Sequence, residues 1–298
     1  MTVQPPRVSI VVPSYNHARF VGEALESAWA QTGVEVELIV VDDGSRDGSP
    51  RMIADLLERA DRRHCELIVQ ENRGAHAAIN RGLERARGEY LHILNSDDRL
   101  HPGRCARLIA ALESGAELAM SDVRVIDGEG RPPPAGHPMS AWYQSAMRSF
   151  LAQPTIGFGL LTINAAVTTS NFLFRRSLLE KTGGFTAEKL CHDWRFLLRA
   201  LRFTEPVRVP EPLLDYRFHG GNTAPRVMAL RRSEGETALR EYLAAVCQEA
   251  PANHLAPSPQ WWPGFFDVFV RSRRSWFAGE PIADFLPPLP RSVSSRHD

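Results

Sequence analysis

The sequence predicts an α/β protein with a mostly parallel central sheet flanked by helices, followed by a C-terminal helical extension. Three observations carry that prediction. Apolar, β-branched runs recur with little polar interruption, as strands covered on both faces require. Each run is followed by a segment whose apolar residues fall at helical spacing. Strand and helix are joined each time by a loop dense in Gly, Ser, Asn and Asp.

Arg7 to Val12, RVSIVV, is the first expected strand, and Arg19 to Gln31 places Phe20, Val21, Leu25, Ala28 and Trp29 on one helical face. Val36 to Val41, VELIVV, is the second strand; after DDGSRDGSP, Met52, Ile53, Leu56 and Leu57 mark a second helix. Leu67 to Gln70 is a third strand, followed by a helix over Ala75 to Ala86, and Tyr90 to Leu94 is a fourth. In sheets of this kind ligands sit beyond the carboxyl ends of the strands, where loops vary while the sheet stays rigid. The clusters PSYN, DDGS, NRGAH and NSDD all follow strands at that edge. After Leu118 to Val125 the turn-rich DGEGRPPPAGHP marks a join between two halves. Thr168 to Phe174 then reads as a strand, His192 to Leu201 as a helix, and the chain from Arg226 as helical with a polar, Pro-rich end. The expected boundaries are 1–125 for the first half, 126–225 for the second and 226–298 for the helical extension.

With 298 residues the chain is long enough for a sizeable core, and 35 Lys plus Arg balance 35 Asp plus Glu. No global field recruits nucleic acid, so a charged ligand must be held locally. Cys65, Cys105, Cys191 and Cys247 form no C-x-x-C pair and read as reduced thiols of a cytoplasmic protein. The start shows no basic segment leading into an apolar signal region, and no uncharged run reaches the ~20 residues of a spanning helix. In WWPGFFDVFVRSRRSWF, Trp262, Phe265, Phe266 and Phe269 fall at helical spacing with Arg271, Arg273 and Arg274 behind them. Two readings stand: an aromatic face packed on the domain, or a peripheral contact with the inner face of a membrane.

Asp42, Asp43, Asp97 and Asp98 would crowd negative charge at one sheet edge, which a cation relieves. Hard divalent cations take carboxylate oxygen together with substrate phosphate, so the expected ligand is phosphorylated. Neither G-x-x-x-x-G-K-[ST] nor a G-x-G-x-x-G after the first strand is present, which argues against P-loop and dinucleotide chemistry.

VSIVVPSYNHARFVGEALESAWAQT, ELIVVDDGSRDGS and NRGAHAAINRGLERARGEYLHILNSDDRLHPG, continued by TSNFLFRRSLLEKTGGF, HDWRF and YRFHGGN, resemble the family 2 inverting glycosyltransferases and their GT-A fold. The resemblance spans Val8 to Asn222. It implies a nucleotide-sugar-binding half and an acceptor half. Pro13, Tyr15 and Asp42 would hold the nucleobase and ribose, Asp43 and Ser45 would fix that loop, and Asn72 with the helix start near Gly74 would approach the nucleotide. The family's frequent Arg stands here as Ile79. In the metal motif Asp97 is the main ligand of Mn²⁺ or Mg²⁺, with Asn95 in the place of the other Asp and Asp98 as a further ligand. Asp193 would be the catalytic base, His192 standing for the preceding Glu. His219 and Arg217 would lie near the diphosphate or metal, and His76 is unassigned.

The implied activity is metal-dependent transfer from a UDP-sugar donor to a hydroxyl of a glycan or lipid-linked acceptor in bacterial surface polysaccharide synthesis. A nucleotidyltransferase and a non-catalytic nucleotide-sugar binding module are the alternatives. The first would need a basic glycine-rich loop where PSYNHARF stands, and the second would not need Asp193.

Overall fold

A computed structural model describes residues 5–59, 64–221 and 228–273. Its strands are β1 (Arg7–Ser14), β2 (Glu35–Asp42), β3 (Cys65–Val69), β4 (Tyr90–Ile93), β5 (Arg99–Leu100), β6 (Leu118–Ile126), β7 (Phe172–Arg175) and β8 (Val207–Arg217). The helices are α1 (Val21–Trp29), α2 (Ser49–Arg59), α3 (Ala75–Arg85), α4 (Arg104–Leu112), α5 (Pro138–Leu151), α6 (Ile156–Thr162), α7 (Arg176–Thr182), α8 (His192–Ala200), α9 (Met228–Gln248) and α10 (Phe265–Arg271).

The strands form one sheet in the order β3-β2-β1-β4-β7-β6-β8-β5. Its first four members are parallel, as the strand and helix alternation predicts, with Val8 to Val11 of β1 set between Val36 to Ile39 of β2 and Tyr90 to Ile93 of β4. Continuous apolar runs are needed because both faces are covered. Val8, Ile10 and Val12 enter one core with Leu25 and Ala28 of α1, while Val11, Ile39 and Val41 enter another with Ile79 and Leu83 of α3. Helix α3 lies so close that a Cβ on Gly82 would fall 2.3 Å from Val11 Cγ1.

The second half departs from the sequence expectation. Strand β7 is antiparallel to β4 and to β6, whereas β6 and β8 run parallel to each other. Thr168 to Asn171, expected as strand, makes a capped 3-10 turn before β7 begins at Phe172. Short local signals did not reveal β5, β8 or α4 to α7. The reversal has a positional consequence: a strand antiparallel to β4 brings its own start to the edge where β4 ends. Thr168 to Asn171 therefore meets Asn95 to Asp98. Because β8 is parallel to β6, its end delivers Arg217 to His219 to the same edge.

The aromatic C-terminal stretch packs inward in part. Trp262, Phe265 and Phe269 meet Phe158 of α6 edge-on at ring separations of 5.1, 5.2 and 4.7 Å. Phe265 is still 45% exposed and Val268 68%, and Arg274 lies outside the described residues. The four cysteines are free of disulfides. No helix among the described residues is long and apolar enough to cross a membrane.

Asp215 staples the far side of the sheet. Its buried carboxylate accepts from Arg99 Nε at 2.9 Å, Arg124 Nε at 2.7 Å and His101 Nε2 at 2.8 Å. Burial alone pushes the carboxyl up, but these donors outweigh it and hold its pKa at about 2. A depressed carboxyl pKa contributes stability above the unfolded value that is lost as pH falls through the folded one. Asp215→Asn is therefore expected to lower unfolding free energy at pH 7 by about 2 kcal/mol. Urea titrations should show the difference between wild type and variant closing as pH falls from ~4 to ~2. A gap that stays constant over that range would count against the staple.

Candidate active site

The first two loops at the carboxyl edge are locked to each other. Asp42, at the end of β2, is fully buried and accepts from Ser45 N at 2.8 Å and Ser45 Oγ at 2.7 Å. Ser45 Oγ also receives Asn16 N at 2.8 Å, and Asn16 Oδ1 receives Arg46 N at 2.8 Å. Asn16 takes a left-handed backbone, φ 53°, which Asn tolerates better than most residues. Tyr15 is left exposed beside this lock and Pro13 half-buried at the end of β1. Asp43 reaches the third loop: it accepts from Arg73 N at 2.9 Å, Gly74 N at 2.8 Å and Gln70 Nε2 at 2.8 Å. Gly74 begins α3 with φ 89°, a conformation that side chains disfavour. Asp43 thus sets the loop that carries exposed Asn72. Ile79, where the family often has Arg, is buried in the core and offers nothing to a phosphate.

The fourth loop carries the metal candidates. Asp97 meets His219 Nε2 through Oδ2 at 3.1 Å. His17 completes the group: ligand atoms of His17, Asp97 and His219 lie within 4.8 Å of one another. The His17 ring is edge-on to that of His219 at 5.8 Å, and its Nδ1 is 2.8 Å from Ser96 Oγ. One carboxylate and two imidazoles suit a first-row transition-metal ion, Mn²⁺ among them, better than Mg²⁺, which favours oxygen alone and dehydrates reluctantly. The donor set fits the divalent ion that the sequence implies.

The other two metal candidates are turned into the protein. Asn95 Nδ2 donates to Thr168 Oγ1 at 2.8 Å. Asp98, 1% exposed, accepts from Ser170 Oγ at 2.6 Å, Thr168 Oγ1 at 3.0 Å and Arg217 N at 3.1 Å. Its carboxyl is pushed up to about 7 by burial and by the neighbouring Asp97 charge, against those donors. The side chains that converge on Asp97 are those of His17 and His219, whereas Asn95 and Asp98 face Thr168 and Ser170. Arg217, expected near phosphate, is likewise buried, with Nε donating to Asp97 O at 2.9 Å and Nη2 to Glu23 at 2.7 Å. It braces the loop from behind.

Asp193 lies in the first turn of α8, 5% exposed. Its Oδ2 accepts from Asn164 Nδ2 at 3.1 Å and its Oδ1 from Trp194 N at 2.6 Å. Burial raises its pKa, with the nearby His192 and these two donors opposing. His192 Nε2 stands 3.3 Å from Thr169 Oγ1, so the turn that holds Asp98 also touches the helix start that carries Asp193. The preceding loop is fastened to α3, where Asn80 exchanges two hydrogen bonds with the Phe185 backbone, at 2.7 and 2.8 Å. Sequence reasoning missed His17, Asn80 and Asn164. His17 and Asn80 stand inside quoted motifs, while Asn164 gives no local signal. His76 lies beside Gly74 and takes no part in the metal cluster.

Residues 9–183 match the family described as Glycosyl transferase family 2. The chain is 35% identical over 208 residues to the succinoglycan biosynthesis protein ExoO of Rhizobium meliloti (strain 1021), covering 69% of this chain and 53% of that protein. It thus spans about half the length of that relative. Among solved structures, the mannosyltransferase PcManGT from Pyrobaculum calidifontis, in complex with GDP-Man and Mn²⁺, matches with a TM-score of 0.61 and 20% identity over 95% of this chain and 78% of that one. TarS 1-349 of S. aureus, in complex with UDP-GlcNAc, matches with a TM-score of 0.59 and 19% identity over 89% and 81%. At these identities the structures speak to the fold, which is GT-A-like.

Two measurements check the site. Asp97→Asn and His17→Ala should each weaken Mn²⁺ binding by at least ~10-fold in titration calorimetry, since each removes one of few ligands; unchanged affinity in both would exclude the cluster. Asn164→Ala removes a donor that favours ionised Asp193, so the acid limb of the pH–rate profile should move to higher pH. A shift to lower pH would contradict the arrangement.

Proposed function

We propose a function from one premise, that this chain belongs to glycosyl transferase family 2: it transfers a sugar, with inversion, from a nucleoside diphosphate donor to a hydroxyl of a glycan. The observation that carries the proposal is the placement of a cation-binding cluster, His17, Asp97 and His219, at the same sheet edge as a buried carboxylate, Asp193.

The chain's own residues divide the work. Tyr15 and the Asp42–Ser45 lock present a rigid surface to the base and ribose, while Asp43 holds the third loop and the start of α3, whose N–H groups suit a diphosphate. His17, Asp97 and His219 hold the cation. A bound divalent ion neutralises charge on the departing diphosphate. Asp193 takes the proton from the acceptor hydroxyl as that oxygen attacks the anomeric carbon opposite the leaving group. Burial makes Asp193 a stronger base than an exposed Asp, while Asn164 and the Trp194 N–H keep it ionised and aimed.

The donor is a UDP-sugar in this proposal, and the setting is cytoplasmic synthesis of a bacterial surface polysaccharide, in keeping with the succinoglycan role named for the relative. Exposed Phe265 and Val268, with Trp261 and Leu255 nearby in sequence, support a peripheral contact with a membrane that carries a lipid-linked acceptor.

Calorimetry with UDP and GDP, with and without Mn²⁺, tests the donor side, and donor hydrolysis tests the chemistry. UDP binding that strengthens with Mn²⁺ is expected. Asp193→Asn should retain UDP affinity and lose transfer by ~10²-fold or more. Equal transfer by this variant would remove Asp193 from the mechanism, and tight UDP binding without turnover in the wild type would favour a binding module.

A further inference from the structure

Helix α9 belongs to the C-terminal extension, beyond the family match that ends at residue 183, yet it reaches the catalytic loop. The carboxylate of Glu234 accepts from three consecutive backbone N–H groups, Lys189 at 2.9 Å through Oε1 and Leu190 and Cys191 at 2.8 and 3.1 Å through Oε2. These groups lead directly into α8, whose first turn carries Asp193. Cys191, at the N-cap of α8, supplies no side-chain cap. Glu234 supplies anionic acceptors from another helix at the positive end of the α8 dipole.

The next residue deepens the contact. A Cβ on Gly235 would lie 2.9 Å from Trp194 Cζ3, so only glycine lets the helix backbone sit against this ring. Trp194 is itself fixed by Nε1 donating to Leu160 O at 2.8 Å. Two turns on, Glu241 pairs with Arg195 at 2.5 Å. Residues 189 to 195 are thus gripped by one face of α9, and Asp193 lies within the gripped segment.

We propose that Glu234 is a positioning residue for transfer. By tying down the Lys189–Cys191 backbone it sets the direction in which Asp193 meets the acceptor hydroxyl, which makes the C-terminal helix a working part of the acceptor side. The inference rests on Asp193 as the base. It predicts an effect on turnover that leaves the donor loops alone, because Glu234 touches none of them among its described contacts.

The test compares the full-length wild type with Glu234→Ala and Glu234→Gln. For Glu234→Ala, kcat for transfer is expected to fall on the order of 10- to 100-fold, as misplacement of a reacting group by about an ångström does. Donor KM and UDP affinity should stay within ~2-fold, a margin set by groups distant from the change. Glu234→Gln should lose less, since its carbonyl oxygen still serves Leu190 and Cys191 while its amide faces Lys189 N–H. Amide hydrogen exchange over residues 189–193 should quicken in Glu234→Ala, with β1 and β2 unchanged. Wild-type kcat in Glu234→Ala, or donor KM and UDP affinity lost in step with kcat, overturns the proposal. A wild type that binds UDP but turns over no donor overturns the transferase reading itself, and full transfer by Asp193→Asn overturns the base assignment; the present inference falls with either.

Discussion

The carboxyl edge of this sheet depends on how the buried carboxylate of Asp98 is satisfied. A buried carboxylate without donors would cost several kcal/mol, so the fold must bring donors to it from elsewhere in the chain. They come from Ser170 and Thr168 at the start of β7 and from Arg217 N at the end of β8. Those two strands are the ones that close the site around β4. Arg217, whose own side chain grips Asp97 O and Glu23, adds a second tie at the same place. His219, two residues on, is thereby carried to Asp97, and the turn at Thr169 is carried to His192. Asp98 shapes the candidate site by deciding where its neighbours stand.

The antiparallel insertion of β7 makes that arrangement available. In a fully parallel sheet each strand would start at the opposite edge from the ligand loops, and its leading turn would lie far from Asp97. Reversal of a single strand puts a start, Thr168 to Asn171, among the ends. Buried Arg104 reinforces the turn, donating to Asn171 O at 2.8 Å and stacking its hydrogen bonds against His92 and Ser121. The positive charge there is tolerated because every nitrogen of the guanidinium meets a polar partner.

The first half was legible because it is built from local patterns. Strand, loop and helix follow one another within the reach of hydrophobic periodicity, and the loops lie at the edge that the topology assigns to ligands. The sheet is mixed where alternation alone predicted parallel strands, since the pairing of β7 rests on contacts about eighty residues apart that no local pattern records. The same limit applies within the site. Asp97 and Asp193 were named from motifs, whereas Asn80, Asn164 and Glu234 act on segments 105, 29 and 43 to 45 residues away. Asn95 reads as a ligand because the resemblance aligns it with the first Asp of the metal motif, and Asp98 because it adjoins Asp97. Both Asn95 and Asp98 lie in the turn between β4 and β5, where hydrogen bonds to Thr168, Ser170 and the Arg217 backbone, rather than strand alternation, set the direction of the side chains.

Asp98 and Asp193 also show why burial of a carboxylate does not by itself identify a base. Both are driven toward the neutral form by desolvation, and both receive hydrogen bonds that favour the ion. The difference lies in what the donors leave free. Asp98 is enclosed by two hydroxyls and a backbone N–H from two other strands' ends, so its oxygens are committed to holding the sheet edge together. Asp193 has one donor on each oxygen, Asn164 and Trp194 N, and a carboxylate oxygen has lone-pair capacity for a further partner. Placed on the first turn of a helix whose approach is held by an element outside the nucleotide-binding half, it has a supported direction and an unfilled lone pair. An acceptor hydroxyl needs both of those properties from a base; Asp98, with two hydroxyls on Oδ2 and a backbone N–H on Oδ1, is tied to the strand ends instead.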